Sequence, residues 1–389
     1  MLIEQIAPAA EAELARIFVG LELSLSKWLI GVGSSRRATI RRHYVRGGDL
    51  PSLLDLLRRI ATEEEKRSGL SGKIHICFEA GRDGHWLYRA LKTAGYDVYE
   101  IDPASIAVNR RARRAKSDGL DVAMLVRNLA RFVRGELDVF RVVVVPSEEE
   151  EDAKRPGREY ERLVKERTSH IARIKSLLFL QGIRDFNPRA ADWLERLVAL
   201  PLRPGLRAEL VRECRRLSGI IADIAELEAE MKAAITMTKK VKPAVSAIQL
   251  PSHVQFTIKQ LAKLKSIGLH FSTLLGCELF YRKFSNRRAV AQYLGLTPSP
   301  FQSGDTARDQ GISKAGNKRA RKAMIELAWV WLQHQPESAL SQWFLQRVGD
   351  LKGRIRRIAI VALARKLAVA LWRYLESGII PERAVLKQA

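Results

Sequence analysis

Cysteine is scarce in this chain of 389 residues: Cys77, Cys214 and Cys277 stand far apart, and none sits in a C-x-x-C pair near a histidine. That spacing argues against a zinc ribbon and a disulfide framework, and the three read as reduced, mostly buried thiols. Long apolar runs are lacking as well. No stretch reaches the ~18 to 20 apolar residues that a membrane span requires. The first residues, Met1-Leu2-Ile3-Glu4, lack the basic start and cleavage site of a signal peptide, so the expectation is a cytoplasmic protein with no membrane partner. Acidic residues are the scarcer charge: 43 Asp and Glu stand against 67 Lys and Arg, a formal net charge of +24. Such an excess implies a polyanionic partner, DNA or RNA before a membrane surface. What is not scarce is core material. Hydrophobic residues make up 47% of the chain, enough for two or three domains.

Residues 1–16 read as a helical leader. Short apolar runs at Phe18–Leu23 and Trp28–Val32, separated by a Ser-rich turn, predict a β-hairpin, with a more polar third strand over Thr39–Val45. Leu53–Ile60 has helical periodicity. A strand over Ile74–Glu79 ends at a glycine turn, a helix over Trp86–Leu91 follows, then a strand over Val98–Ile101. Asp118 and Asp121 open one more helical pattern through Leu120, Met124, Leu125 and Leu129. Three strands followed by helix, strand, helix, strand, helix is the order of a ribonuclease H-like α/β domain.

In a sheet of that order Glu22, Glu79, Asp118 and Asp121 can converge. Four carboxylates suit Mg²⁺ or Mn²⁺, which take oxygen ligands and clamp the attacking and leaving oxygens of a phosphoryl transfer. Each acid also has a plainer reading: Asp118 and Asp121 as helix-start acids, Glu22 as a solvent-facing strand residue. Just before them Arg110, Arg111, Arg113, Arg114 and Lys116 form a dense basic run, suited to phosphate.

Beyond about Val142 the pattern becomes helical. The acidic cluster Glu148–Asp152 reads as a solvated loop and boundary, dividing residues 1–147 from a helical or coiled-coil middle over 148–250. Helices are expected over Tyr160–Leu180, Ala190–Leu200 and Leu206–Ile235, lengths that favour an antiparallel helical hairpin or a coiled coil serving as a spacer or dimer arm, with Thr236–Pro251 as a linker. The remainder, 251–389, reads as an all-helical C-terminal domain. It opens with a helix over Leu264–His270 and a helix-hairpin-helix-like element, which can present backbone amides to DNA phosphates. A turn-rich loop over Thr297–Asp305 carries Ser303, by spacing alone an ordinary turn serine with no His or Asp nearby to make a triad. Lys314, Lys318, Arg319, Arg321 and Lys322 then offer a second phosphate-binding face. Trp329, Trp331, Trp343 and Trp372 read as core residues.

With these pieces in place the chain resembles the insertion sequence 110 family of transposases, DEDD-type recombinases related to the Piv invertase. The matching residues are Val19–Leu23, Phe78-Glu79-Ala80, the Lys-Ser-Asp-x-x-Asp segment from Lys116 to Leu125, and Tyr293-Leu-Gly-Leu-Thr-Pro through Gln302-Ser303-Gly304 to Gly311-Ile-Ser-Lys-Ala-Gly-Asn-Lys-Arg. The resemblance spans roughly residues 17–133 and 262–332. It implies a RuvC-like metal site formed by Glu22, Glu79, Asp118 and Asp121, and attack on DNA by Ser303. It also implies dimers or tetramers, and a noncoding bridge RNA that guides target choice by base pairing. Two residues depart from the family pattern. Its first acid is normally Asp, and Glu22 is longer by one methylene, about 1.5 Å; the helix-hairpin-helix turn usually has two glycines, and here only Gly268 remains. Alternatives therefore stay open: a RuvC-like nuclease or resolvase using only the acids, a protein-only invertase, or a nucleic-acid-binding copy disabled at Glu22.

Overall fold

The computed structural model describes residues 15–35, 37–81, 84–106, 118–236, 248–303 and 306–387. The chain divides into two compact units, residues 1–146 and 147–389.

The first unit is built on a five-stranded sheet, in the order β3-β2-β1-β4-β5. Strands β1 (Ala15–Glu22), β2 (Lys27–Ser34) and β3 (Arg37–Arg46) form an antiparallel meander. Strands β4 (Gly72–Glu79) and β5 (Asp97–Ile101) run parallel to β1. The connections between parallel strands are helical, as such crossovers require: α1 (Leu50–Ser68) precedes β4, and α2 (Gly84–Thr93) precedes β5. Helix α1 starts where Asp49 accepts from the Ser52 amide at 3.0 Å, and stops at Gly69, whose φ of 69° suits a residue without Cβ. This mixed sheet is consistent with a ribonuclease H-like fold, and all five expected strands appear within a few residues of their expected ends. The expected leader is the exception. Residues 1–14 lie outside the described residues, and Ala15 and Arg16 already belong to β1.

Alternation along β1 sorts the two faces of the sheet. Ile17, Val19 and Leu21 join Ile76, Phe78 and the buried Leu53, Leu57 and Ile60 of α1 in one apolar layer. On the other face Phe18 and Cys77 pack against Leu125, Val126 and Leu129 of α3 (Asp118–Val133). Each of these fully buried aliphatic side chains contributes on the order of 1.5–3 kcal/mol.

In the second unit the acidic run Glu148–Asp152 is a helix, α4, where a loop was expected. Ser147 and Glu150 make a reciprocal capping box, and four glutamates in the first turn favour the positive end of the helix dipole. Helices α5 (Arg155–Phe179) and α7 (Pro204–Thr236), with the short α6 (Trp193–Val198) between them, form the expected antiparallel hairpin. Its direction follows from cross-links between His170 and Glu213 (2.6 Å) and between Arg173 and Glu209 (2.5 Å), in which rising numbers on α5 meet falling numbers on α7. Of the expected linker, 237–247 lies outside the described residues.

Helices α8 (Ser252–Ala262), α9 (Leu269–Glu278) and α10 (Arg287–Tyr293) precede a β-hairpin of β6 (Pro298–Ser303) and β7 (Thr306–Ile312). Helices α11 (Lys318–His334), α12 (Ala339–Val348) and α13 (Arg354–Ser377) follow. Two expectations are corrected here. Leu264–His270 is not a helix: residues 263–268 form the turn between α8 and α9, held by the Leu264–Leu386 bridge and by the Lys265 amide donating to the Val385 carbonyl at 3.1 Å. The region is also not all-helical, since Thr297–Asp305 contributes strand β6 rather than a loop. Of the four tryptophans Trp331 is fully buried, with Nε1 donating to Ser338 Oγ at 2.8 Å, whereas Trp329 is 37% exposed under the Arg356 guanidinium.

Candidate functional site

Glu22 and Glu79 end two adjacent parallel strands. The last registered pair is Leu21 with Phe78, so the next step along both strands places Glu22 beside Glu79. The face they occupy follows from their neighbours two residues back. A Cβ on Gly20 would meet Leu125 Cβ at 3.0 Å and the Val122 carbonyl at 3.1 Å, so Gly20 faces α3, and by alternation so does Glu22. Cys77 Sγ donates to the Leu125 carbonyl at 3.6 Å, so Glu79 faces α3 too. Burial pushes the Cys77 thiol pKa up, and the Glu79 carboxylate adds to the effect.

Helix α3 brings the other two acids to the same level. Gly20 lies under Val122, and Glu22 is two residues, ~6.6 Å, further along its strand. Asp118 is four residues, ~6 Å, back along the helix from Val122, and Asp121 is one turn before Leu125. All four acids therefore sit at one end of the α3 face of the sheet. Glycine is what permits this close packing: Gly20 and Gly31 are cross-strand partners, and both would press a Cβ into Val122 or Val126. Asp118 is exposed, and Asp121, Glu22 and Glu79 are half-buried. Oxygen donors of this kind suit a hard divalent cation. Among the described residues, however, no three acidic, histidine or cysteine side chains are gathered as a bound metal would need.

Two polar residues of the same sheet carried no sequence signal. Arg42 of β3 donates from Nη2 to the Gly119 carbonyl at 3.2 Å, which lays a guanidinium between Asp118 and Asp121 in the chain. Gly119 has no Cβ, and one there would meet that guanidinium carbon at 2.9 Å. On the opposite face Glu100 of β5 is fully buried, with one carboxylate oxygen 3.0 Å from His85 Nδ1 on α2.

Ser303 ends β6 and pairs with Thr306 across the tip of the hairpin. The hairpin is closed at its root by Ser313 N to Thr297 O (2.8 Å), Lys314 N to Gly295 O (3.1 Å) and Asn317 N to Tyr293 O (2.8 Å). At this crossing two glycines interlock. A Cβ on Gly295 (φ 64°) would collide with the Ala315 carbonyl, and one on Gly316 (φ 89°) with the Tyr293 carbonyl. Beneath the root lies Glu278, only 4% exposed, a residue that no local pattern singled out. Its carboxylate accepts from Arg158 Nε at 2.7 Å and from Asn317 Nδ2 at 2.9 Å, and its carbonyl accepts from the Tyr293 hydroxyl at 3.1 Å. Asn317 Oδ1 in turn caps α11 by accepting from the Arg319 and Ala320 amides, both at 3.0 Å.

The segment around this hairpin also matches a family of known proteins. The sequence model of one family, described as transposase IS116/IS110/IS902, matches residues 259–342. A Sinorhizobium fredii protein named as a transposase, y4rJ, is 41% identical over 98% of this chain and 97% of its own length. The chain belongs to the IS110 family of transposases. More distant members include the transposase for insertion sequence element IS1328 of Yersinia enterocolitica, 24% identical over 78% of this chain and 84% of its own. The transposase for element IS1111A of Coxiella burnetii is 26% identical over 76% of this chain and 75% of its own.

The transposase's expected phosphate-binding residues separate into three groups. Arg110, Arg111, Arg113, Arg114 and Lys116 lie outside the described residues. Arg321 is engaged internally, its Nη1 donating to the carbonyls of Leu294 (3.1 Å), Lys314 (3.0 Å) and Ala315 (3.4 Å), and Arg319 pairs with Glu161. Those two arginines brace the hairpin root and α5. Lys314, Lys318 and Lys322 are exposed, Lys322 with Glu326 at 3.6 Å. No helix among the described residues is long and apolar enough to cross a membrane.

Proposed function

We propose that this transposase moves an insertion sequence by site-specific DNA recombination in which Ser303 is the nucleophile and Glu22, Glu79, Asp118 and Asp121 hold Mg²⁺ or Mn²⁺. The observation that carries this reading is the placement of four carboxylates at one end and on one face of the first unit's sheet. A divalent ion held there would supply Lewis-acid stabilisation of the phosphoryl oxygens. The Ser303 hydroxyl oxygen bonds to phosphorus, the P–O bond to the departing DNA strand breaks, and that strand leaves as an alcohol carrying the proton. A phosphoserine ester results, and its energy is kept for rejoining when a DNA hydroxyl displaces the serine. A serine hydroxyl is a poor nucleophile unaided, so the acids and the serine have to act on one phosphodiester. The net charge of +24 supports a polyanion held over a wide surface. A bridge RNA as guide, and a dimer or tetramer as the working form, complete the proposal.

The test is made in cells. The gene with its flanking DNA is placed on a plasmid, and the excised circular junction is amplified and sequenced. Ser303→Ala and Asp118→Ala abolish the junction if the reading is right; normal excision by Ser303→Ala rejects the nucleophile. RNA recovered with the purified protein that pairs with the junction sequence supports the guide, and recombination in its complete absence refutes it. The ungathered side chains favour one second reading, a DNA-binding copy disabled at Glu22. A catalytic site tolerates only about 0.5 Å of displacement. A junction seen with Glu22→Asp and absent from the wild type would decide for that second reading.

A further inference from the structure

The acid end of the sheet is charged in two halves. The register sets Glu22 beside Leu29 and Leu29 beside Tyr44, so the row that holds the strand acids runs on to the outer strand, β3. Two residues back, Gly20, Gly31 and Arg42 stand in line; two residues on, Lys27 faces Arg46. Gly20 and Gly31 lie under α3, and Arg42 reaches Gly119 of that helix. By alternation Tyr44, Lys27 and Arg46 therefore share the face of the acids. Carboxylates occupy β1, β4 and α3, and cations occupy β2 and β3.

Arg42 Nη2 donates to the Gly119 carbonyl at 3.2 Å, which holds its guanidinium beside the start of α3. Lys27 Nζ stands 4.4 Å from the centre of the Tyr44 ring, a contact that orients an ammonium without neutralising it. Arg46 is directly opposite Lys27, and like charges in facing positions repel each other. Asp49 feels the charge of Arg46, but its two carboxylate oxygens accept from the Ser52 amide and hydroxyl. Among the described residues none of the three cations forms an ion pair with a carboxylate. All three are exposed, and so is Tyr44 at 58%.

Strands ~4.8 Å apart and a rise of ~6.6 Å for two residues put the Lys27 and Arg46 backbones about 8 and 12 Å from Glu22. One strand of a duplex advances about 3.4 Å of axis per phosphate, so those cations stand roughly two to four phosphates from the acids. We propose that Lys27, Arg42 and Arg46 form a phosphate track that leads a DNA strand across the β3 edge to the carboxylates, with Arg42 nearest the reacting phosphodiester. The inference rests on the reading of the four acids as the reaction centre. The three are positioning residues: they set which phosphodiester reaches the acids and take no part in bond making.

The experiment measures the affinity of the full-length protein for duplex DNA carrying one end of the element with its flanking sequence, over a salt series, beside excision in cells. Lys27→Gln with Arg46→Gln should lower the slope of log affinity against log salt by about 1.8, or about 0.9 per phosphate, which at 0.15 M salt is roughly 30-fold weaker binding. Adding Arg42→Gln should remove about 0.9 more. Junction formation should fall in step, and Lys27→Arg with Arg46→Lys should restore both slope and junction. Lys66→Gln with Lys92→Gln removes the same charge from α1 and α2, on the opposite face of the sheet, and should leave the slope unchanged. Melting curves establish that each variant is folded. Asp118→Ala should keep the wild-type slope and lose the junction. Junctions formed by Asp118→Ala would reject the acid centre and with it the positioning role, whereas a wild-type slope in the Lys27/Arg46 double variant would reject the track itself. A slope that falls with single-stranded RNA and not with duplex DNA would reject DNA as the strand that lies there.

Discussion

Replacing Gly20 by alanine tests the claim that close helix–sheet packing is what levels the acids. The new Cβ would stand 3.0 Å from Leu125 Cβ, 3.1 Å from the Val122 carbonyl oxygen and 3.2 Å from Val126 Cγ2. Carbon atoms rest at ~3.5–4.0 Å, so α3 has to retreat by about 0.5 Å. Two of the three obstacles are main chain or Cβ, which no side-chain rotation can move. Overpacking of this kind costs about 1–3 kcal/mol, and at ~2–4 °C per kcal/mol for a unit of this size the melting temperature should fall by several degrees. Excision should fall further than stability alone explains. Asp118 and Asp121 ride on the helix while Glu22 and Glu79 stay on the strands, and a 1 Å misplacement can cost ~10²-fold in rate. The assay is junction formation well below the melting temperature, with Gly33→Ala as control. There the Cβ would meet Val126 Cγ1 at 2.7 Å, but Gly33 pairs with Phe18, away from the acid end. Gly33→Ala should lose stability, and Gly33→Ala with Val126→Ala should regain it. Wild-type melting and excision in Gly20→Ala would refute the argument, as would an activity loss that only tracks unfolding.

Three further outcomes can be checked at the bench. Glu278→Gln should cost about 1.5–3 kcal/mol in urea unfolding, because it removes the charge that Arg158 and Asn317 bind; an unchanged midpoint would deny the network a role at the hairpin root. The thiols should react with a disulfide reagent only after unfolding, since burial pushes Cys214 up to about 11, Cys277 up to about 12 and Cys77 higher still; rapid reaction in the native protein would contradict it. Burial lowers the His270 pKa below its ordinary 6.5 against the opposing pull of Glu161 and Glu326. The unfolded chain therefore takes up the proton first, so this contribution to stability is present above about pH 6.5 and is lost as the pH falls toward the folded value. His270→Phe should flatten that acid slope, and an unaltered slope would exclude His270 as its source.

The first unit was legible because strand alternation and helix period are local. Ile17, Val19 and Leu21 announce a face without reference to any partner. Gly20, Gly31 and Gly33 were not legible in the same way. A glycine inside a strand usually only weakens it, and their purpose appears once the register pairs Gly20 with Gly31 under α3. The serine hairpin was misread for a related reason. Pro298 and Pro300 look like turn residues, yet a proline is tolerated where its missing N–H falls at a strand irregularity, and the register shifts between these two positions. Leu264–His270 has the spacing of a helix, but its backbone partners come from the far end of the chain, through Leu386 and Val385. Glu278 sits in an apolar helix, and its partners Arg158 and Asn317 are 120 and 39 residues away. No window of sequence could have paired them.

The acids and the serine share one principle of construction although they belong to different units. Gly20 and Gly31 let a helix backbone approach a sheet, and Gly295 and Gly316 let two segments of chain cross at a hairpin root. Main-chain geometry is stiffer than side-chain geometry, because its hydrogen bonds and fixed dihedrals leave few alternative states. A group mounted on such a crossing keeps its position while large nucleic acids bind and leave, and the exposed side chains around it remain free to vary. The resemblance follows that division. Its most specific stretch runs from Tyr293-Leu-Gly-Leu to Lys-Ala-Gly-Asn-Lys-Arg, and its two ends hold the interlocked glycines, the second also the cap of α11, while Ser303 lies between them. The part of the motif easiest to recognise is therefore the mount of the hairpin.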